Sequence, residues 1–466
     1  MTAFTLSEQA RPPLDPDFQP AVLWNARYQK TACKHPKGRP AAIRIERPDG
    51  LGWTYRMRLL PAGAAYAKDN FRFCERLIKT LLWAWGGSRI KVFGADELVA
   101  SLQACYGKKG ARSFDAVFMG QRCFDEPLRI EAANSALADD DSDSHAGAAQ
   151  RQLKGCRIGF DLGGSDRKCA ALIDGKVVFS EEIKWDPYFE SNPDYHLQGI
   201  RDSITAAAKH LPRIDAIGGS AAGIYINNEP RVASLFRGIS ESDYPTRIRP
   251  IFHQLQAEFG DVPMVIANDG DVTALAGAMA FDDNAVLGLA MGTSLAAGYI
   301  DPNGVITGRL NELAFIPIDY REEAPIDEWS RDRGCAVQYA SQQAVARLLP
   351  IAGIAVDSAM PFPERLELLQ EKVKLGDERT RPLYETLGCY LAFIVAQLHD
   401  LYTYKNLLTL GRVTSGEGGD WMLERAKTVL QNEFPALADK TVFHTVDEKT
   451  KRHGQAIAAA SLPVII

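Results

Sequence analysis

The chain has 466 residues, of which 46% are hydrophobic and 24% charged, with a formal net charge of −6. That length is too great for one small core and implies several domains. The mild acidity argues against a nucleic-acid binder, whose affinity rests on clustered Lys and Arg. The start, Met1-Thr2-Ala3-Phe4-Thr5-Leu6-Ser7-Glu8, has neither the basic nor the apolar region of a secretory leader. No apolar run reaches the roughly 20 residues of a membrane span. Eight cysteines are scattered without a C-x-x-C pair, so neither a disulfide frame nor a zinc cluster is expected. These features predict a cytoplasmic protein with no membrane or nucleic-acid partner.

In chain order, residues 1–20 are Pro-rich and read as an arm. Residues 21–134 carry α/β patterning and form an N-terminal domain without a motif that points to chemistry. Within it, Ala41–Glu46 and Thr54–Leu59 alternate as strands around a Pro48-Asp49-Gly50 turn. Phe71–Trp85 is a helix ended by Gly86-Gly87. Ile90–Gly94 is a strand, Asp96–Tyr106 a helix, and Phe114–Met119 and Leu128–Glu131 are further strands. Residues 135–153, with the run Asp139-Asp140-Asp141, are an acidic linker. Residues 154–284 and 285–466 then alternate strands with helices, among them Gly199–His210, which is the pattern of an α/β fold.

Four segments carry chemistry. In Asp161-Leu162-Gly163-Gly164-Ser165 an apolar strand ends in a carboxylate, two glycines and a hydroxyl. Glycines there let backbone N–H groups converge on an anion, and Asp161 stands where a hydrated Mg²⁺ beside that anion needs it. Lys168 follows on the next strand. Asn268-Asp269-Gly270-Asp271 ends another strand. Asp269 is placed to take a proton from a hydroxyl attacking phosphorus, and Asp271 is placed to cap a helix beginning near Val272. Gly292-Thr293-Ser294 repeats the logic of the first segment roughly 130 residues later, as a duplicated lobe would. The fourth segment, Gly411 to Gly419, breaks a buried strand into a loop with glycines at 411, 416, 418 and 419 before a helix from Trp421. Such a loop lets adenine and ribose lie against backbone. Ser220, Tyr225, Asn227 and Ser234 follow a strand end and are candidates to line an acceptor pocket.

Taken together, the four segments over residues 155–466 resemble the ROK family of sugar kinases in the actin-like ATPase superfamily. Asp161–Ser165 is similar to that family's Asp-x-Gly-Gly-Thr motif, Asn268-Asp269 to its Asn-Asp pair, and Gly334-Cys335-Ala336-Val337-Gln338-Tyr339-Ala340-Ser341 to its Gly-Cys-x-Glu-x-Tyr-Ala-Ser segment. The resemblance implies a two-lobed, ribonuclease H-like α/β fold with ATP and Mg²⁺ in the cleft, Asp269 as catalytic base and the possibility of a homodimer. Gly163, Gly164, Ser165, Lys168, Gly292, Thr293 and Ser294 are then expected at the phosphates, and Gly411, Gly416, Gly418 and Gly419 at the adenosine. Ser220, Ser234, Asn268 and Glu312 are expected at the acceptor.

The departures are specific. The family's Glu-x-Gly-His stands here as Glu312-Leu313-Ala314-Phe315, its sugar-contacting glutamate is Val337, and its second asparagine is Asp271. Only Cys335 is left of the zinc-binding cysteines, so no zinc is expected. Phosphate and base positions are kept while sugar-reading positions change. The reading is an ATP-dependent phosphotransferase whose acceptor is a sugar-like hydroxyl compound. The alternative is a non-catalytic sensor of the same fold that binds a nucleotide or metabolite.

Overall fold

The computed structural model describes residues 5–138, 152–445 and 448–465; most of the acidic linker lies outside them. Among the described residues no helix is long and apolar enough to cross a membrane.

Four strands, β1 (Arg39–Glu46), β2 (Gly52–Leu59), β3 (Arg89–Phe93) and β4 (Arg129–Ala132), form an N-terminal sheet in the order β2-β1-β3-β4. The β1–β2 turn is closed by Arg47 N–H to Leu51 O and by Gly50 at φ +91°. A helix, Ala64–Trp85, crosses this sheet and ends where Gly86, at φ +80°, donates back to Leu82 O. Glycine is needed there because a Cβ would stand 2.4 Å from the Leu310 side chain.

The expected strand Phe114–Met119 is instead helical, Ser113–Ala116 running into a wider turn at Val117–Cys123. Phe114 and Phe118, four residues apart, both lie against Trp83, with centroids 6.3 and 4.9 Å away. Asp115 turns inward to accept from Lys79 Nζ and Trp83 Nε1 at 2.9 and 2.6 Å. The alternation in the sequence matched a strand period, but these tertiary partners need a helical spacing.

The next sheet contains β5 (Cys156–Leu162), β6 (Asp166–Ile173), β7 (Lys176–Lys184), β8 (Ala216–Ala221) and, after the hairpin β9 (Ile224–Ile226) and β10 (Glu229–Val232), β11 (Met264–Asn268). Its order is β11-β8-β5-β6-β7, with β5, β8 and β11 parallel and β5-β6-β7 antiparallel. The expected helix at Gly199–His210 begins earlier, at Pro193, because Asn192 caps it by accepting from Asp194 N–H.

The last sheet, of β12 (Val286–Met291), β13 (Leu295–Ile300), β14 (Asn406–Leu410) and β15 (Val442–Thr445), has the order β13-β12-β14-β15. A final helix, Glu448–Ala460, returns onto the preceding sheet. The glycines of β5 and β8 admit it: a Cβ on Gly159 or Gly218 would stand 1.8 or 1.7 Å from the Ala456 or Ala459 carbonyl oxygen.

The sheet of β5–β8 and β11 packs its own core. By contrast, the N-terminal sheet and the last lobe share one continuous core that includes Trp24, Phe73, Trp83, Phe315, Tyr339 and Phe393. The described part of the expected arm is seated in it. Phe18 is fully buried against Tyr339, Tyr390 and Phe393, and Asp15 pairs with Arg321 at 2.6 Å.

Candidate active site

Parallel strands deliver their C-terminal ends to one edge of a sheet, and polar residues there face a common cleft. Across β5, β8 and β11, Asp161 aligns with Ser220 and Ser220 with Ala267, so Asn268 and Asp269 fall just beyond the same edge. Asp161 is buried and accepts from Ser220 Oγ at 2.7 Å. Ser220 is thus turned to Asp161. Burial raises the Asp161 carboxyl, while Ser220 and Lys168, whose Nζ is 3.9 Å away, pull it down.

Asp269 opens the helix Asp269–Phe281, and Asn268 caps it by accepting from Gly270 N–H at 2.7 Å. Asn268 is itself held by donating to Gly223 O at 2.8 Å. Asp271 is therefore not the cap expected from the sequence. It lies in the first turn, buried, and accepts from Tyr299 N–H at 3.0 Å and Asn311 Nδ2 at 2.8 Å. Burial, with the charge of Asp161 next, pushes the Asp269 carboxyl up to about 6. Burial pushes Asp271 and Glu312 up to about 7, Glu312 also feeling Asp269 and Asp271. Glu312 is half-buried. The three carboxyls share one desolvated corner, and their ionisation near neutrality is costly.

The two glycine turns have the same construction. Gly163 N–H closes its turn on Asp166 O, and Gly292 N–H closes its turn on Ser294 O, both at 2.9 Å. Those amides are occupied, contrary to the expectation that they meet phosphate directly. The next N–H groups, of Gly164 and Thr293, have no acceptor among the described residues. Ser165, Thr293 and Ser294 are exposed at the tips. The ring of Tyr188 fills the side of Gly164 where a Cβ would be. Lys168 Nζ also lies 3.2 Å from Asp166.

The glycine loop after β14 begins against the end of β12: at Gly411, φ +96°, a Cβ would stand 2.3 Å from Met291 O. This brings the 411–416 loop beside the Gly292 turn. The helix expected from Trp421 starts at Gly416. Gly418 and Gly419 are buried glycines against the Tyr384 ring and Thr414 O, so they serve packing, while Gly416 is exposed. Ser234 is exposed at the start of a short helical turn after β10.

Sequence reading missed the residues that hold this corner from the N-terminal side. The last carbonyls of the Ala64–Trp85 helix, those of Trp83, Ala84 and Trp85, accept from the N–H groups of Glu312, Asn311 and Leu310 at 3.0, 3.0 and 3.3 Å. A helix end with free carbonyls is thereby satisfied. Tyr402 Oη donates within the same network, lying 3.2 Å from Ala84 O and 2.8 Å from Asn311 Oδ1. Phe315, where the resembled family has histidine, packs on Trp83 at 4.3 Å. Near Cys335 a buried ionic cluster joins the two parts: Lys79 to Asp115 and Asp332 at 2.9 and 3.1 Å, Arg76 to Glu75 and Asp332 at 2.6 and 3.0 Å, and Arg112 to both acids at 2.5 Å. On the other lobe, Arg231 and Arg249 of the segment after β9 both grip Asp125 of the N-terminal part, Arg249 at 2.7 Å.

A hydrated Mg²⁺ bound mainly through nucleotide phosphates needs few protein ligands, and the buried carboxylate of Asp161 fits that position. Among the described residues no group of three or more His, Cys, Asp or Glu could hold a metal by itself.

These features define a two-lobed α/β fold of the actin-like type, each lobe carrying a glycine turn between two antiparallel strands. More narrowly, the fold is that of ROK-family proteins. A ROK hexokinase from Thermus thermophilus is similar at a TM-score of 0.52 and 18% identity, covering 66% of this chain and 97% of that one. A ROK family transcriptional regulator, a homologue of the E. coli MLC protein, is similar at 0.50 and 17%, covering 67% of this chain and 79% of that one. No protein-family model and no curated protein matches the sequence.

Proposed function

We propose that this protein is an ATP- and Mg²⁺-dependent phosphotransferase acting on a hydroxyl of a sugar or sugar-like small molecule in the cytoplasm. The observation that carries this reading is the half-buried Asp269 carboxylate, raised to about 6, just beyond the strand edge that carries Asp161. A carboxyl tuned close to neutrality suits a general base, and a pure binding protein has no need of one. Asp269 accepts the acceptor's hydroxyl proton as that oxygen bonds to the terminal phosphorus, and the bond from phosphorus to the bridging oxygen breaks to release ADP. The N–H groups of Gly164 and Thr293 donate to phosphate oxygens. Asp161 would hold the Mg²⁺, which when bound would neutralise charge on the phosphates. Asn268 and Glu312 orient the acceptor.

The similarity of the fold to a ROK regulator as well as to a hexokinase favours a second reading, a sensor that binds without turnover. ATP consumption measured against a panel of sugars, amino sugars, polyols and nucleosides separates the two. Turnover with one acceptor supports the kinase. Nucleotide binding by calorimetry with no turnover across the panel supports the sensor.

A further inference from the structure

Away from the phosphate turns, a cavity of about 370 Å³ opens where three parts of the chain meet: the β1–β2 turn, the β9–β11 edge and residues 306–310. This volume is within the range of small-ligand sites. Asp161, Gly164, Thr293 and Asp269 do not line it, but Asn268, proposed above to orient the acceptor, does, so it adjoins the proposed reaction site without containing its base or its phosphate turns.

Its polar wall is not balanced within the protein. Thr307, 3% exposed, has a hydroxyl without a partner, and Arg47, 6% exposed, has an unpartnered Nε. The other nitrogens of Arg47 are used, Nη1 on Gly308 O and Nη2 3.4 Å from Asp49. Arg309 is held between Trp53, Trp85, Tyr299 and Tyr402, with ring centroids 5.5–6.0 Å away, and donates Nη1 to Leu401 O. Among the described residues no carboxylate pairs with it. Of the two acids on the wall, Asp49 already faces Arg47, and Asp271 already accepts from Tyr299 and Asn311. A buried donor without an acceptor costs free energy that a ligand recovers.

We propose that this cavity binds a small organic anion carrying one carboxylate or phosphate group, received by Arg309, Thr307 and Arg47. Its floor includes Asn268, the cap of the Asp269–Phe281 helix, and Asp271 in the first turn of that helix. Occupancy is therefore felt at the residues next to Asp269. The site itself requires no assumption about catalysis.

The test is calorimetry on the full chain with succinate, inorganic phosphate and glycerol 3-phosphate as probes, followed by hydrogen exchange over residues 268–275. One probe is expected to bind 1:1 below about 10 mM, slowing exchange there, with carboxylate or phosphate preference read from which probe wins. Thr307→Val, close to isosteric, is expected to weaken binding about tenfold through one lost hydrogen bond to a charged group. Arg309→Gln is expected to abolish it if it folds, and Thr307→Val decides the matter if it does not. The proposal is overturned if no probe saturates, if Thr307→Val binds as wild type does, or if an ATP analogue displaces the probe.

Discussion

Asp269 and Asp271 are two residues apart and do different work. Asp269 is half-buried at the helix start, whereas Asp271 is buried and tied to Tyr299 and Asn311. In the proposed role as base, Asp269 must be ionised to accept a proton, and its carboxyl is raised to about 6. The phosphate-transfer rate should therefore fall as pH drops below about 6, and a pH–rate profile checks this. For Asp271 the raised folded value, about 7, lies above the unfolded one. The folded state holds that proton more tightly, so stability from this group is present below pH 4 or so and is lost as pH rises through about 7. Asp271→Asn keeps the acceptor oxygen and removes the charge. It should reduce the fall in Tm between pH 5 and pH 8; equal falls in variant and wild type would refute the assignment. Asp161 and Asp269 were legible in the sequence because strand, acid and glycine are adjacent there. The role of Asp271 was not, since its partners lie 28 and 40 residues away in the chain.

At the scale of elements, the Ala64–Trp85 helix has the clearest consequence. Its length and its stop at Gly86 follow from local pattern, but its terminal carbonyls accept from the N–H groups of residues 310–312, which no local pattern announces. Asn311 is the hub: φ +55°, buried, its N–H on Ala84 O, its amide group between Tyr402 and Asp271. Asn311→Ala strips a donor from a buried carboxylate and places a Cβ-branched-free but non-Asn residue in the left-handed region, which Asn tolerates better. Denaturant unfolding should register a loss of about 2–3 kcal/mol, and a loss below about 0.5 kcal/mol would show that the network carries little. Local pattern also failed at Phe114–Met119, where Lys79 and Trp83 impose a helical spacing on residues that alternate like a strand.

At the scale of the molecule, residues 21–134 form a sheet of their own without a core of their own. Trp83 and Phe315 pack against each other across the boundary, the Lys79–Asp332 cluster lies buried between the parts, and Asp125 reaches Arg231 and Arg249 of the other lobe. Composition marked a linker, and alternation marked a sheet, yet which lobe the sheet would join is a matter of long-range packing. Residues 152–466 expressed alone would expose the apolar side of that shared core and leave the 310–312 amides unpaired. Such a fragment should unfold at a lower Tm than the full chain, and a transition matching that of the full chain would contradict the shared-core description.

The central claim is that Asp269 makes this molecule a phosphotransferase. The most direct measurement is Asp269→Asn assayed in parallel for phosphoryl transfer, by ³¹P NMR with the acceptor the panel identifies, and for nucleotide binding by calorimetry. Transfer should drop by about 10²–10⁴-fold with the nucleotide Kd within about twofold of wild type. Preserved transfer, with or without weakened binding, would contradict it.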